Sequence, residues 1–181
     1  GEKKVLIWSQ MHGNESTGTR AMLDVLNFFK HHSTEIVEKI SFDFIPMLNP
    51  DGAHLYTRRN AVGIDMNRDF LAKSSVELKL LIQQVEQGNY EFLFNLHDQR
   101  TIFNVGNTTE TATLSFLAPS YNIAQDVNAV RQKTMGVIQY MNQALQMVIP
   151  GKVGRYSSEF YPASTGDNFT QMGYACVLFE A

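Results

Sequence analysis

His12-Gly13-Asn14-Glu15 sets an imidazole and a carboxylate three residues apart on a polar turn, and His97 supplies a second imidazole at the end of a distant apolar run. Two histidines and one carboxylate are the protein ligands of a catalytic zinc site that keeps its fourth position for water. The His-x-x-Glu spacing is common by chance and identifies nothing alone. His97, flanked by Asn95 and Asp98, reads equally well as a hydrogen-bonded structural histidine. The other three histidines have simpler explanations. His31 and His32 end a predicted helix, where imidazolium favours the dipole, and His54 sits beside a turn. Cys176 is the single cysteine, which excludes an internal disulfide and a cysteine-based zinc cage. Its apolar run, Ala175 to Phe179, marks it as a small core residue.

A second candidate is the segment from Arg59 to Phe70, Arg-Asn-Ala-Val-Gly-Ile-Asp-Met-Asn-Arg-Asp-Phe. It reads either as a solvated loop of weak surface ion pairs or as an anion site, since a planar guanidinium beside an amide can grip a carboxylate through two parallel bonds.

These residues must be positioned by the elements around them. Val5–Trp8 is a short continuous apolar run, suited to a strand buried on both faces. Met22, Val25, Leu26 and Phe29 follow at helical spacing. Residues 40–48 read as a second strand ending in the turn signal Asn49-Pro50-Asp51-Gly52, and residues 53–71 as an ordered functional loop. Ser74 with Glu77 makes a capping-box pattern before a stripe of Leu78, Leu81, Ile82 and Val85 that stops at Gly88. Strands are expected over 91–96, 113–117 and 174–179. A long helix bearing Val127, Val130, Thr134, Val137, Ile138, Met141, Leu145 and Val148 ends at Pro150-Gly151. Alternation of strands and helices without repeats predicts an α/β fold, a mixed, largely parallel central sheet flanked by helices. Function gathers at the carboxyl ends of strands in such sheets, and His12, Asn49, His97 and Glu180 all follow predicted strand ends.

Bulk composition narrows the partners. With 44% hydrophobic and 18% charged residues the chain fits one globular domain over residues 1–181, and its net charge of −3 offers no basic surface to nucleic acid or anionic membrane. No apolar stretch approaches the roughly 20 residues of a membrane span, and no signal peptide opens the chain. Both ends look trimmed close to candidate active-site motifs, and neither compartment nor oligomeric state is assigned from the sequence.

Taken in order, His12-Gly13-Asn14-Glu15, Asn49-Pro50-Asp51-Gly52, Arg59, Asp65-x-Asn67-Arg68, Asn95-Leu96-His97 and Phe179-Glu180 resemble the motif series of zinc metallocarboxypeptidases, and the match runs over essentially the whole chain. The resemblance implies one zinc held by His12, Glu15 and His97, with Asp65 orienting a metal-bound histidine. It implies that Asn67 and Arg68 hold the substrate's terminal carboxylate, that Arg59 polarises the scissile carbonyl, and that Glu180 is the general base. Tyr161 resembles the mobile tyrosine that closes over the substrate, with Tyr156 as an alternative. The implied reaction is removal of the C-terminal residue from a peptide or cell-wall peptide with a free carboxylate. Two rivals remain: an N-acyl amino acid deacylase of the aspartoacylase type, which shares the His-x-x-Glu and Asn-Arg elements, and a carboxypeptidase-like binding module without catalysis.

Overall fold

Among the described residues, four of six strands run side by side in one direction, and that arrangement brings the chemistry together. The computed structural model describes residues 1–32 and 35–181. The apolar runs become β1 (Lys3–Ser9), β2 (Ile40–Ile45), β3 (Phe92–His97), β4 (Leu114–Leu117), β5 (Val153–Arg155) and β6 (Cys176–Glu180) of one sheet, in the order β2-β1-β3-β6-β4-β5. Strands β2, β1, β3 and β6 are parallel, β4 is antiparallel to β6, and β5 is parallel to β4. The sheet is thus mixed and mostly parallel, and helices flank it. The carboxyl ends of β1, β3 and β6 meet at one edge, where His97 and Glu180 are register neighbours.

Among the described residues the helices are α1 (Thr17–His31), α2 (Glu35–Lys39), α3 (Pro50–Leu55), α4 (Val76–Gly88), α5 (Ala129–Leu145) and α6 (Thr165–Gln171), with a 3-10 turn at Met66–Arg68. Helix α4 buries the expected Leu78, Leu81, Ile82 and Val85 into a core that also contains Leu6, Trp8, Leu93 and Phe169. Phe169 takes Trp8 and Phe70 edge-on at 5.9 and 5.2 Å between ring centroids. Helix α1 is buried less than its periodicity suggests. Only Gly18 and Met22 are fully covered, while Phe29 stacks on Phe42 at 5.5 Å.

Several expectations are corrected. Asn49-Pro50-Asp51-Gly52 is the start of α3: the Asn49 side chain accepts from the Gly52 amide at 2.9 Å, and Pro50 occupies the first turn, where no backbone donor is needed. The Ser74/Glu77 capping box does not form. Helix α4 begins one residue later, the Ser74 and Ser75 amides donate instead to Asp69 at 3.0 and 2.8 Å, and Glu77 accepts from Asn60. Helix α5 spans 129–145, leaving Val127 and Val148 outside it and exposed.

Candidate metal and substrate site

The turn that carries the first two candidate ligands is fixed by local packing. Gln10, just past β1, adopts a left-handed φ of 48° and reverses the chain. Its side chain holds that bend by donating to the Gly13 carbonyl at 2.8 Å and accepting from Thr19 Oγ1 at 2.7 Å. Gly13 packs so closely on the backbone of Gly52 that a β-carbon would lie 2.0 Å from the Gly52 carbonyl carbon. Only glycine fits there. Asn49 closes the same junction, its amide nitrogen lying 3.3 Å from both the Met11 and Arg58 carbonyls. The turn motif read from the sequence therefore clamps the His12 turn to the arginine segment.

His12, Glu15 and His97 are all buried, and one donor atom from each lies within 4.8 Å of the others. The two Nδ1 atoms are 3.1 Å apart, and they face Glu15 Oε1 and Oε2 at 2.8 and 2.7 Å respectively. Tetrahedral ligands about 2.0–2.1 Å from one zinc ion lie roughly 3.3 Å from each other, so these three donors fit that ion with small adjustments. His12 Nε2 on the far side of its ring sits 3.3 Å from Asp65 Oδ1, a contact that fixes which nitrogen faces the cluster.

The electrostatics favour a cation at the same point. Burial opposes ionisation of Glu15, but hydrogen bonds from His12 and His97 outweigh it and hold the carboxyl well below its usual range. Asp65 is depressed in the same way against its burial, by His12 and then Arg58. Burial would lower the His12 pKa, yet Asp65 and Glu15 raise it overall. Two carboxylates ionised around one imidazole attract positive charge, which a proton supplies at low pH and a metal ion can replace.

Glu180 behaves oppositely. Burial, with further repulsion from Glu15 and Asp98, pushes its carboxyl up to about 7. It lines the cleft with His12, Glu15 and His97 but makes no bond to them, as a proton-transfer group near neutrality would.

The two adjacent arginines point in different directions. The Arg59 guanidinium is exposed and donates to the Gly63 carbonyl at 2.8 Å, outside the cleft. Its neighbour Arg58 turns inward, with Nε 2.9 Å from Asp65 Oδ2 and Nη1 3.2 Å from His12 Nδ1 and 3.6 Å from Glu15 Oε1. Asn60 sets this division. Its Oδ1 accepts from the Ile64 amide at 2.9 Å and closes a loop that turns Arg59 away. Two adjacent arginines look alike in a sequence, and nothing in their spacing separates them.

Asn67 and Arg68 follow Asp65 on the 3-10 turn, which Asp65 caps by accepting from the Asn67 amide at 3.0 Å. Both line the cleft. Asn67 Oδ1 accepts from the Thr165 amide at 3.1 Å, tying it to α6. The Arg68 guanidinium lies 5.2 Å from the Tyr161 ring centroid, and Tyr161 donates its hydroxyl to Glu159 at 2.9 Å. Tyr156 also lines the cleft, edge-on to Phe103 at 5.5 Å. The cleft, about 230 Å³, further includes Arg100 and Asp167, which the sequence did not single out. Asp167 accepts from the Tyr161 amide at 2.7 Å, and burial raises its pKa.

Residues 1–144 match the family model for zinc carboxypeptidase, Peptidase_M14. The human carboxypeptidase N catalytic chain is 33% identical over 88 residues, 38% of this chain and 19% of that protein. Carboxypeptidase SOL1 of Arabidopsis thaliana is 35% identical over 66 residues, 33% of this chain and 13% of that protein. These relatives are thus matched over less than a fifth of their own length. A metallo-carboxypeptidase from Pseudomonas aeruginosa superposes with a TM-score of 0.75 at 16% identity, over 99% of this chain and 48% of that structure, which establishes the likeness of fold. The chain belongs to the zinc carboxypeptidase family, whose metal is zinc.

Proposed function

We propose that this protein removes the C-terminal residue from peptides by zinc-dependent hydrolysis, with Glu180 as the general base. The observation that carries this reading is the convergence in one cleft of the triad His12, Glu15 and His97, the near-neutral Glu180, and Arg68 with Asn67. Zinc, when bound, supplies a Lewis acid that lowers the pKa of water toward about 7.

The chain's own groups supply the rest. Glu180, which lines the cleft beside the triad, accepts a proton from the attacking water and passes it to the departing amine. Arg58, anchored through Nε on Asp65, keeps the remainder of its fork toward the cleft and donates to the oxyanion as the carbonyl is attacked. Arg68 and Asn67 bind the terminal carboxylate, so that the last peptide bond is the one presented to the water. Asp65 holds His12 and Arg58 together, coupling the metal ligand to the oxyanion donor. Tyr161, stacked under Arg68, covers the bound end of the substrate.

The test is a matched pair of blocked dipeptides, one with a free C-terminal acid and one amidated. The free acid should be cleaved and the amide should be a poor substrate. Equal cleavage of both would refute end recognition by Arg68 and favour an endopeptidase.

A further inference from the structure

Among the described residues, four buried side-chain polar atoms have no hydrogen-bond partner in the protein: Trp8 Nε1, Asn95 Nδ2, Asn95 Oδ1 and His97 Nε2. Buried polar atoms are nearly always paired, and these four belong to three residues on adjacent strands. Asn95 and His97 alternate into the interior on β3 with Leu93, two residues apart and so on one face of the strand. Trp8 of β1 is the register partner of Asn95, and all three residues are almost wholly buried.

The donor count is decisive. His97 Nδ1 faces Glu15 and His12, so the unpaired nitrogen is the one turned away from the metal site. Once Nδ1 serves the metal, Nε2 of a neutral imidazole carries the proton and becomes a donor. The indole Nε1 of Trp8 is a donor only. Asn95 Oδ1 is therefore the only acceptor among the four atoms, and its two lone pairs match the N–H groups of Trp8 and His97, while Asn95 Nδ2 is a third unpaired donor.

We propose that Asn95 is a positioning residue for the metal site, its Oδ1 accepting from His97 Nε2–H and from Trp8 Nε1–H through ordered water. It would do for His97 what Asp65 does for His12, fixing the tautomer and the ring plane. The two histidines are then held differently: His12 by a carboxylate that Arg58 also grips, and His97 by a neutral amide inside the sheet.

This inference rests on the zinc reading of His12, Glu15 and His97. The experiment compares wild type, Asn95→Leu and Asn95→Asp by chelator competition for zinc and by the ¹H–¹⁵N signal of His97 Nε2–H in the zinc-loaded protein. Loss of an outer partner of a ligating histidine typically costs 10–100-fold in metal affinity. Asn95→Leu should weaken zinc binding by that factor and move the Nε2–H proton upfield, while Asn95→Asp, which keeps the acceptor, should retain both. If Asn95→Leu does not fold, the wild-type spectrum and the Asp variant suffice: a His97 Nε2–H signal without the downfield shift of a hydrogen-bonded proton, or loss of that shift in Asn95→Asp, overturns the proposal. Unchanged zinc affinity and an unchanged Nε2–H signal in Asn95→Leu overturn it while leaving the metal centre standing. Failure of the wild type to bind zinc overturns the metal centre and this inference together.

Discussion

Replacing Arg58 and Arg59 one at a time separates two side chains that the sequence cannot distinguish. Arg58 Nε lies 2.9 Å from Asp65 Oδ2, and its guanidinium lines the cleft beside His12 and Glu15. Arg59 donates only to the exposed Gly63 carbonyl. Removing a single oxyanion donor costs about 100- to 1,000-fold in turnover, or roughly 3–4 kcal/mol of transition-state stabilisation. Arg58→Ala should lose that factor in kcat/KM. Arg58→Lys should recover little, because a single ammonium cannot bind Asp65 and point a second donor at the substrate. Arg59→Ala should leave kcat/KM unchanged and shift stability by no more than about 0.5 kcal/mol. The assay is steady-state hydrolysis of a free-acid dipeptide, with zinc content measured on every variant so that metal loss is not mistaken for lost catalysis. A large fall for Arg59→Ala with wild-type activity in Arg58→Ala would refute the assignment and the loop geometry behind it.

Three further outcomes follow from the same geometry. Glu180→Gln should lower turnover by about 100- to 10,000-fold while keeping stoichiometric zinc; metal analysis with single-turnover kinetics checks it, and loss of metal would make Glu180 a ligand. In metal-free protein the Glu180 pKa is raised by burial from 4.5 to about 7, so its stabilising contribution is complete below the unfolded value and is lost as pH rises through the folded one. Denaturant titrations at about pH 5.5 and about pH 8 should therefore show wild type losing up to about 2 kcal/mol more than Glu180→Gln, and equal losses would mean the carboxyl is not perturbed. Arg68→Ala should weaken cleavage of free-acid peptides by about 2–5 kcal/mol in kcat/KM and leave amidated peptides nearly unchanged, as kinetics on the matched pair would report.

Much of this architecture is legible in the chain because its strands are short apolar runs closed by polar residues that carry the chemistry. The helix over Leu78 to Val85 is equally plain. Helix α6 is not, for a physical reason: Thr165 to Gln171 has Phe169 as its one large apolar residue, and its polar side chains are buried through bonds such as Asn168 Nδ2 to the Pro162 carbonyl at 2.7 Å. A hydrophobic stripe cannot reveal a helix buried by hydrogen bonding. Strand β5 has three residues, too few to show a period, and is held where Gly154 packs against Ser115.

At the site, His12, His97 and Glu180 were singled out because each follows a predicted strand end, and Glu15 by its spacing from His12. Arg58 could not, since its direction depends on the Asn60 loop. Asn49-Pro50-Asp51-Gly52 was visible as a signal, but its role as a clamp between Met11 and Arg58 required coordinates. Asn95 was visible only as the neighbour of a ligand, and its meaning comes from the atoms left unpaired around it.

The proposed function requires zinc held by His12, Glu15 and His97 acting on a carboxylate-ended peptide. Its most direct test is release of the C-terminal amino acid from a panel of blocked dipeptides, measured on the purified protein with zinc, after chelation, and after zinc is returned. Cleavage of free-acid substrates that disappears with the chelator and returns with one equivalent of zinc per chain is the predicted result. Cleavage that persists in metal-free protein, or none of any substrate in protein carrying stoichiometric zinc, would contradict it.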